Sequence, residues 1–223
     1  MKKIFVTGTD TEVGKTLVSE LMLQALQAKY KKVLGFKPIA AGCQQTTYGL
    51  RNDDAVKLQQ ASSVEVEYKT VNPFAFEPPV APHIAAKLAD TRLDLNMLQD
   101  AYEDIACLNP DLLLIEGAGG WRLPINDDNE FLSDLVIQNQ IPVVLVVGMR
   151  LGCLNHALLT YQAIMRDNLQ CVGWIANQCV EPMPYYKENL HSLQKMIKAP
   201  LLAEVHFSKA PILNPEHILL SVI

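Results

Sequence analysis

The sequence predicts an α/β protein with a doubly wound, mostly parallel sheet flanked by helices, and three observations carry that prediction. Short apolar runs alternate along the chain with helix-length periodic segments, the pattern of repeated βα units. Several of these runs are apolar throughout, as strands covered on both faces must be. The first run feeds a glycine-containing loop that ends in Gly14-Lys15-Thr16 and opens a helical pattern. No internal repeat or linker divides the 223 residues, so one domain over 1–223 is expected, long enough to bury a full core.

The strand candidates are 3–7, 33–36, 112–116, 143–147, 171–176 and 201–205, each read as buried. Leu17, Leu21, Ala25 and Ala28 recur at helical spacing after the loop, and segments 94–107, 130–139, 155–167 and 185–197 show the same periodicity. Pro73, Pro78, Pro79 and Pro82 crowd a stretch that excludes a regular helix or central strand and predicts a shaped loop.

Composition narrows the function classes. A chain with 49% hydrophobic and 19% charged residues is a globule rather than a disordered segment. Its net charge of -5, with no basic run, leaves no electrostatic footprint for nucleic acid or an anionic membrane surface. The stretch Ile4-Phe5-Val6 is too short for a signal peptide and no later run approaches a membrane span, so a cytoplasmic chain is expected. Five cysteines, at 43, 107, 153, 171 and 179, form no C-x-x-C pair and read as reduced packing residues. The five histidines are scattered and none is assigned to metal.

The run from Gly8 to Thr16, Gly-Thr-Asp-Thr-Glu-Val-Gly-Lys-Thr, reads as a phosphate-binding loop. Its backbone N–H groups can wrap a polyphosphate, Lys15 can reach the outer phosphates, and the Thr16 hydroxyl can ligate Mg²⁺. Five residues, not the usual four, separate Gly8 from the Gly14-Lys15 pair, so the loop is a lengthened variant.

Ligands of an open parallel sheet sit at the carboxyl ends of its strands. After the second strand come Lys37-Pro38 and, downstream, Asp53 and Asp54, a cation and two acids beside the loop. After the third comes Glu116-Gly117-Ala118-Gly119-Gly120, an acid at the position of a metal ligand. Thr16, Asp54 and Glu116 together offer a hydroxyl and two carboxylates to an ion that takes few protein acids. The fourth edge, Gly148 to Asn155, is either an anion-holding turn or a helix start capped by Asn155. The fifth ends in Asn177-Gln178, whose amides can read a base edge or simply turn the chain.

These motifs resemble one family in particular. The loop from Gly8 to Thr16, Lys37-Pro38, Arg51-Asn52-Asp53-Asp54, Val71-Asn72-Pro73, Glu116-Gly117-Ala118-Gly119-Gly120-Trp121 and Leu151-Gly152-Cys153-Leu154-Asn155-His156 are similar, in this order, to those of dethiobiotin synthetases. The resemblance runs from Thr7 to about Leu202. It implies a P-loop NTPase-like fold and an ATP- and Mg²⁺-dependent enzyme of biotin synthesis that joins CO₂ to 7,8-diaminononanoate and closes a cyclic urea. It further implies Lys15 and Lys37 as catalytic cations and Thr16, Asp54 and Glu116 as metal ligands. Glu12, Val13, Gly14, Lys15, Thr16, Leu17, Asp54, Glu116, Gly117, Ala118 and Gly119 would hold the nucleotide, with Asn177 and Gln178 at the base. Thr11, Glu12, Lys37 and Ala41 would face the diamine. Gly152, Cys153 and Asn155 would hold its carboxylate at the interface of a homodimer.

Three departures from the family pattern bear on affinity and specificity. Ala41 stands where relatives carry a Ser, which removes one hydrogen bond to the diamine and weakens its binding by about 0.5–1.5 kcal/mol if water fills the gap. Ala41→Ser is therefore expected to lower the Michaelis constant for the diamine; an unchanged constant would show that this position does not limit binding. Gln178 replaces an Asp beside the base-reading Asn, which predicts a looser preference for ATP. His206-Phe207 lacks a Pro-aromatic pairing near the adenine pocket. The competing reading is an ATPase switch of the partitioning or positioning type. Such switches carry a Lys early in the loop, where this chain has Thr9, and a basic amphipathic C-terminal helix that this sequence lacks.

Overall fold

The computed structural model describes residues 1–179 and 183–207. In chain order the first half contains β1 (Lys2–Gly8), α1 (Lys15–Leu26), β2 (Val33–Phe36), β3 (Ile39–Ala40), β4 (Gln44–Thr46), β5 (Gly49–Arg51), α2 (Asp53–Ala61), α3 (Tyr68–Val71), β6 (Phe74–Ala75), α4 (Pro82–Leu88) and α5 (Leu95–Cys107). The second half follows with β7 (Leu112–Glu116), α6 (Leu132–Gln138), β8 (Val143–Gly148), α7 (Cys153–Arg166), β9 (Cys171–Asn177), α8 (Tyr186–Met196) and β10 (Leu201–Val205).

Six strands form the central sheet in the order β10-β9-β8-β1-β7-β2, every neighbouring pair parallel. Alternation along the strands divides the core. Ile4, Val6, Leu112, Leu114, Val144 and Val146 pack with Val18, Met22 and Leu26 of α1 and Leu58 of α2. Phe5, Leu113, Ile115, Leu145 and Val147 pack on the opposite face with Leu98 and Ile105 of α5, Leu135 of α6, Ala157 of α7 and Leu193 of α8. Both faces are covered, which is why these strands read as unbroken apolar runs.

The six anticipated strands are all present, within a residue or so at each end. One differs in character: β10 is an edge strand, and three of its five residues are partly or fully exposed. The proline stretch is also only partly a loop. Pro73, Pro78 and Pro79 lie outside helix, but Pro82 opens α4 at a position where its missing N–H removes no helical bond. The helix α2, unmarked by periodicity in so short a segment, is capped by Asn52, whose side chain accepts from the backbone of Asp54 at 3.1 Å and Ala55 at 3.3 Å. At α7 the cap is Gly152, so Asn155 lies inside the first turn and does not cap it.

Among the described residues no helix is long and apolar enough to cross a membrane. All five cysteines are free; Cys43, Cys153 and Cys171 are buried, Cys179 is half-buried and Cys107 is exposed.

Candidate active site

β1 delivers the phosphate loop to the carboxyl edge of the sheet between β7 and β8. Thr9 donates its backbone N–H to Val146 at 3.0 Å, and the Gly148 N–H donates to the Thr9 hydroxyl at 3.4 Å, so the loop starts fastened to β8. The extra length is taken up at Asp10-Thr11-Glu12. Asp10 Oδ1 accepts from the Thr11 N–H at 2.8 Å, and Glu12 adopts a left-handed φ of 58°. Gly14 follows at φ 84°, and α1 begins at Lys15. Val13 is buried beneath the loop, and its carbonyl accepts from Asn177 Nδ2 at 2.8 Å, which ties the loop to the end of β9.

Three side chains from three elements converge beside this loop. Lys37, at the end of β2, donates from Nζ to Glu116 Oε1 at 2.5 Å, Asp54 Oδ2 at 3.3 Å and the Gly117 carbonyl at 3.3 Å. Glu116, the last residue of β7, is completely buried; its Oε1 also accepts from the Thr16 hydroxyl at 2.9 Å. A chain of hydrogen bonds sets the spacing of this cluster. Asn72 Nδ2 donates to the Lys37 carbonyl at 2.7 Å, the Tyr68 hydroxyl donates to Asn72 Oδ1 at 2.9 Å, and the Asn52 N–H donates to the Tyr68 oxygen at 2.8 Å, one residue before α2 carries Asp54 in.

The electrostatics follow from burial. Burial alone would lower the Lys37 pKa, but the Glu116 and Asp54 charges outweigh it and hold the ammonium above its ordinary range. For Asp54, burial pushes the carboxyl up, and Lys37 followed by the Thr16 hydroxyl brings it below the usual range. Lys15 is the opposite case. Burial, then the neighbouring Lys37 charge, lower it to about 8 against the pull of Glu116, Asp54 and Asp10, and its Nζ rests on the Asp10 carbonyl at 2.8 Å.

The Lys15 value makes nucleotide binding pH-dependent. A phosphate beside Lys15 favours the ammonium, so the bound state holds more protons than the free state above pH about 8. Affinity for a nucleotide is expected to be flat below that pH and to fall above it, by at most about tenfold per unit. Titration calorimetry between pH 7 and 9.5 checks this. Lys15→Arg, which does not titrate in that range, should remove the slope.

Among the described residues, Glu116 Oε2 is buried without a hydrogen-bond partner. An orphaned carboxylate oxygen costs free energy unless something fills it, and a hard cation ligated by oxygen suits a set of two carboxylates and a hydroxyl. No three His, Cys, Asp or Glu side chains converge among the described residues. A magnesium site completed by phosphates and water does not need them. Thr16, Asp54 and Glu116 therefore fit Mg²⁺.

A cavity of about 790 Å³ opens over this cluster, lined by Thr11, Glu12, Gly14, Lys15, Thr16, Lys37, Ala40, Ala41, Asn52, Asp54, Pro79 to Pro82, Ala118, Gly119 and Leu123. Most of the anticipated site residues thus meet in one space. Val13, Leu17, Glu116 and Gly117 do not line it; Val13, Glu116 and Gly117 are buried and Leu17 packs half-buried against the α1 side of the core. Asn177 and Gln178 lie beyond the loop at the β9 edge. Gly152 and Asn155 are exposed and Cys153 is buried, all three outside the cavity. Sequence reasoning missed the Pro79–Pro82 wall and the Asn72–Tyr68 support. The wall has only prolines to mark it, and the support joins residues 35 apart, as in the Asn72 contact to Lys37.

Comparisons with known proteins bear on the family and the fold. A family model described as an AAA domain matches residues 2–212. A protein of Aeromonas salmonicida named ATP-dependent dethiobiotin synthetase is 49% identical over 212 residues, covering 95% of this chain and 93% of its own length. One of the same name from Pseudoalteromonas translucida is 45% identical over 209 residues, covering 94% and 92%. Among solved structures, a ParA family ATPase from Chlorobium tepidum superposes with a TM-score of 0.58 at 11% identity, over 94% of this chain and 86% of that one, a likeness of fold alone. Identity near one half along almost the whole of both sequences is a relation of family as well as of fold, and the chain belongs to the dethiobiotin synthetase family.

Proposed function

We infer that this protein is an ATP-dependent dethiobiotin synthetase that joins CO₂ to 7,8-diaminononanoate in biotin synthesis. The observation that carries the reading is the cavity in which Lys15 and Thr16 of the phosphate loop meet Lys37 and Asp54, with Thr11 and Glu12 among its other lining residues and the buried Glu116 bonded to Lys37 and Thr16 beneath it. A binding module without turnover has no use for a buried cation held between two acids beside a phosphate loop.

The chemistry we assign starts with a neutral amine of the substrate, which captures CO₂ and loses a proton to give a carbamate. A carbamate oxygen attacks the γ-phosphorus and ADP departs, leaving a mixed carbamic-phosphoric anhydride. The second amine attacks the carbonyl carbon, phosphate leaves and the urea ring closes. Catalysis of the phosphoryl step is largely positioning and charge stabilisation. Lys15 and Lys37 supply fixed positive charge on either side of the transferring group, and neither needs to move a proton. Thr11 and Glu12 face the acceptor's amines. Magnesium, when bound by Thr16, Asp54 and Glu116, supplies further charge neutralisation on the phosphate oxygens.

For the base, Asn177 has one free atom. Its Nδ2 is committed to the loop and to Cys179 Sγ, and its buried Oδ1 has no hydrogen-bond partner among the described residues, so Oδ1 is the acceptor we assign to the exocyclic amine of adenine. The Gln178 Oε1 accepts from the Phe207 N–H at 3.4 Å. His206 leans on the Tyr186 ring, with centroids 6.2 Å apart, and receives no role.

The exposed turn at Gly152 supports a homodimer in which Gly152, Cys153 and Asn155 hold the acceptor carboxylate for a neighbouring copy. Leu151 beside it is 97% exposed, and Leu159 and Met165 on α7 are also open. Mass measured in solution with and without the diamine tests this, and an active monomer would refute it. The activity itself is tested by incubating the protein with ATP, Mg²⁺, bicarbonate and 7,8-diaminononanoate and following ADP and the cyclic urea by mass spectrometry. Both products support the reading. ADP without the urea points to an ATPase switch, and neither product rejects catalysis.

A further inference from the structure

Arg150 sits on the loop between β8 and α7, outside the ion cluster at Lys37, and the chemistry described above leaves it unused. Its side chain crosses to the phosphate loop, where Nη2 donates to Asp10 Oδ2 at 2.6 Å. Its backbone carbonyl accepts from the Cys153 N–H at 2.9 Å, at the start of α7. One residue therefore joins the loop to the turn at Gly152.

The partner of Arg150 sits at the point where the loop is lengthened. Asp10 uses its second oxygen, Oδ1, to accept from the Thr11 N–H at 2.8 Å, and the next residue, Glu12, is held at a left-handed φ of 58°. A non-glycine residue in that region costs about 1–3 kcal/mol, so the surrounding structure must hold it there. The later part of the loop has separate anchors, the Asn177 bond to Val13 and the first turn of α1. Among the described residues, the only hydrogen bonds seen to hold this stretch are those of Asp10: its side chain with Thr11 and Arg150, and its carbonyl, which accepts from Lys15 Nζ at 2.8 Å. Their backbone is fixed by an Asp that is itself oriented by Arg150.

We propose that Arg150 is a positioning residue for the acceptor half of the phosphate loop, acting through Asp10 on Thr11 and Glu12. The proposal rests on the assignment of Thr11 and Glu12 to the diamine. It differs from a general support of the loop, because the nucleotide half is anchored elsewhere. The ion pair is half-exposed, 47% at Arg150 and 45% at Asp10, so it contributes little to global stability; its effect is local.

The test is a steady-state comparison of wild type, Arg150→Ala, Arg150→Lys, Asp10→Asn and the double variant Arg150→Ala/Asp10→Asn, with ADP affinity measured separately by calorimetry. Arg150→Ala should raise the Michaelis constant for the diamine roughly three- to tenfold while leaving ADP affinity within about twofold. Arg150→Lys should recover most of the loss, because an ammonium can still reach the carboxylate. Asp10→Asn keeps the Thr11 bond and loses only the charge pair, so its effect should match that of Arg150→Ala, and the double variant should be no worse than either single one. An unchanged diamine constant, an equal loss of ADP affinity or strictly additive effects would each overturn the proposal. A wild-type protein that makes no cyclic urea while binding ADP would refute the functional reading instead, and is distinguished before any variant is made.

Discussion

Lys37→Ala is expected to lose ring formation by a factor on the order of 10²–10³ while retaining nucleotide binding within a few-fold. On the proposed reading, nucleotide affinity resides in the loop backbone, Lys15 and the start of α1, none of which Lys37 supports directly. On the proposed mechanism, Lys37 sets a buried positive charge beside the reacting oxygen, where a charge acts more strongly than in water. The same burial gives the substitution a second effect. Glu116 is completely buried and Asp54 partly so; without the ammonium their charges lack compensation, which costs about 3–5 kcal/mol of stability when one member of a buried pair is removed. Chemical denaturation of the ligand-free variant should show that loss, and Mg²⁺ should restore part of it. Lys37→Met/Glu116→Gln, which removes both charges, should regain stability without regaining activity. A Lys37→Ala protein that turns over within tenfold of wild type would refute the catalytic role.

Gly14→Ala is expected to abolish useful nucleotide binding, with a loss in ADP affinity of about a hundredfold or more. Gly14 holds a φ of 84°, and a Cβ there would stand 2.0 Å from Asn177 Nδ2. Alanine is unfavourable in that backbone region by about 1–2 kcal/mol. The collision adds more, because Asn177 is buried and its Nδ2 is engaged with the Val13 carbonyl at 2.8 Å. Relief of the clash requires either that bond to break or the loop to shift, and a shift moves the amides that wrap the phosphates. Calorimetric titration with ADP reads the effect directly. Gly14→Ala/Asn177→Ala removes the collision but also the loop's bond at Val13 and the atom assigned to the base, so it should regain at most part of the loss. Affinity within threefold of wild type for the single variant would show that the loop adjusts freely.

The legible parts of this site share a property. Lys37 and Glu116 each end or follow an apolar strand, and a charge in that place has to meet a partner or a ligand at the carboxyl edge of the sheet. The loop glycines and Lys15-Thr16 announce themselves by local chemistry. By contrast, Asn72, marked in the sequence only as part of the motif Val71-Asn72-Pro73, and Tyr68 carry no visible role until the fold sets them behind Lys37. The helical fate of Pro82 to Leu88 was hidden because a proline at the first position of a helix looks, in sequence, like a proline in a loop. Arg150 is a lone exposed cation until Asp10 comes within 2.6 Å.

The sequence by itself determined the sheet, its two covered faces, the position of the phosphate loop and the charges at the strand ends, because periodicity and strand-end charges are properties of neighbouring residues; Thr11, Glu12 and Ala41 were expected at the site only through the family resemblance. Tertiary structure alone decided how the charges pair: that Glu116 takes both Lys37 and Thr16 on one oxygen and leaves the other free, that Asn177 gives its amide nitrogen to the loop, and that Asp10 is shared between Thr11 and Arg150. Those pairings join residues up to 164 positions apart. Their energies depend on distances of an ångström or less and on the loss of water around them, and neither quantity exists until the strands have brought the loop ends together.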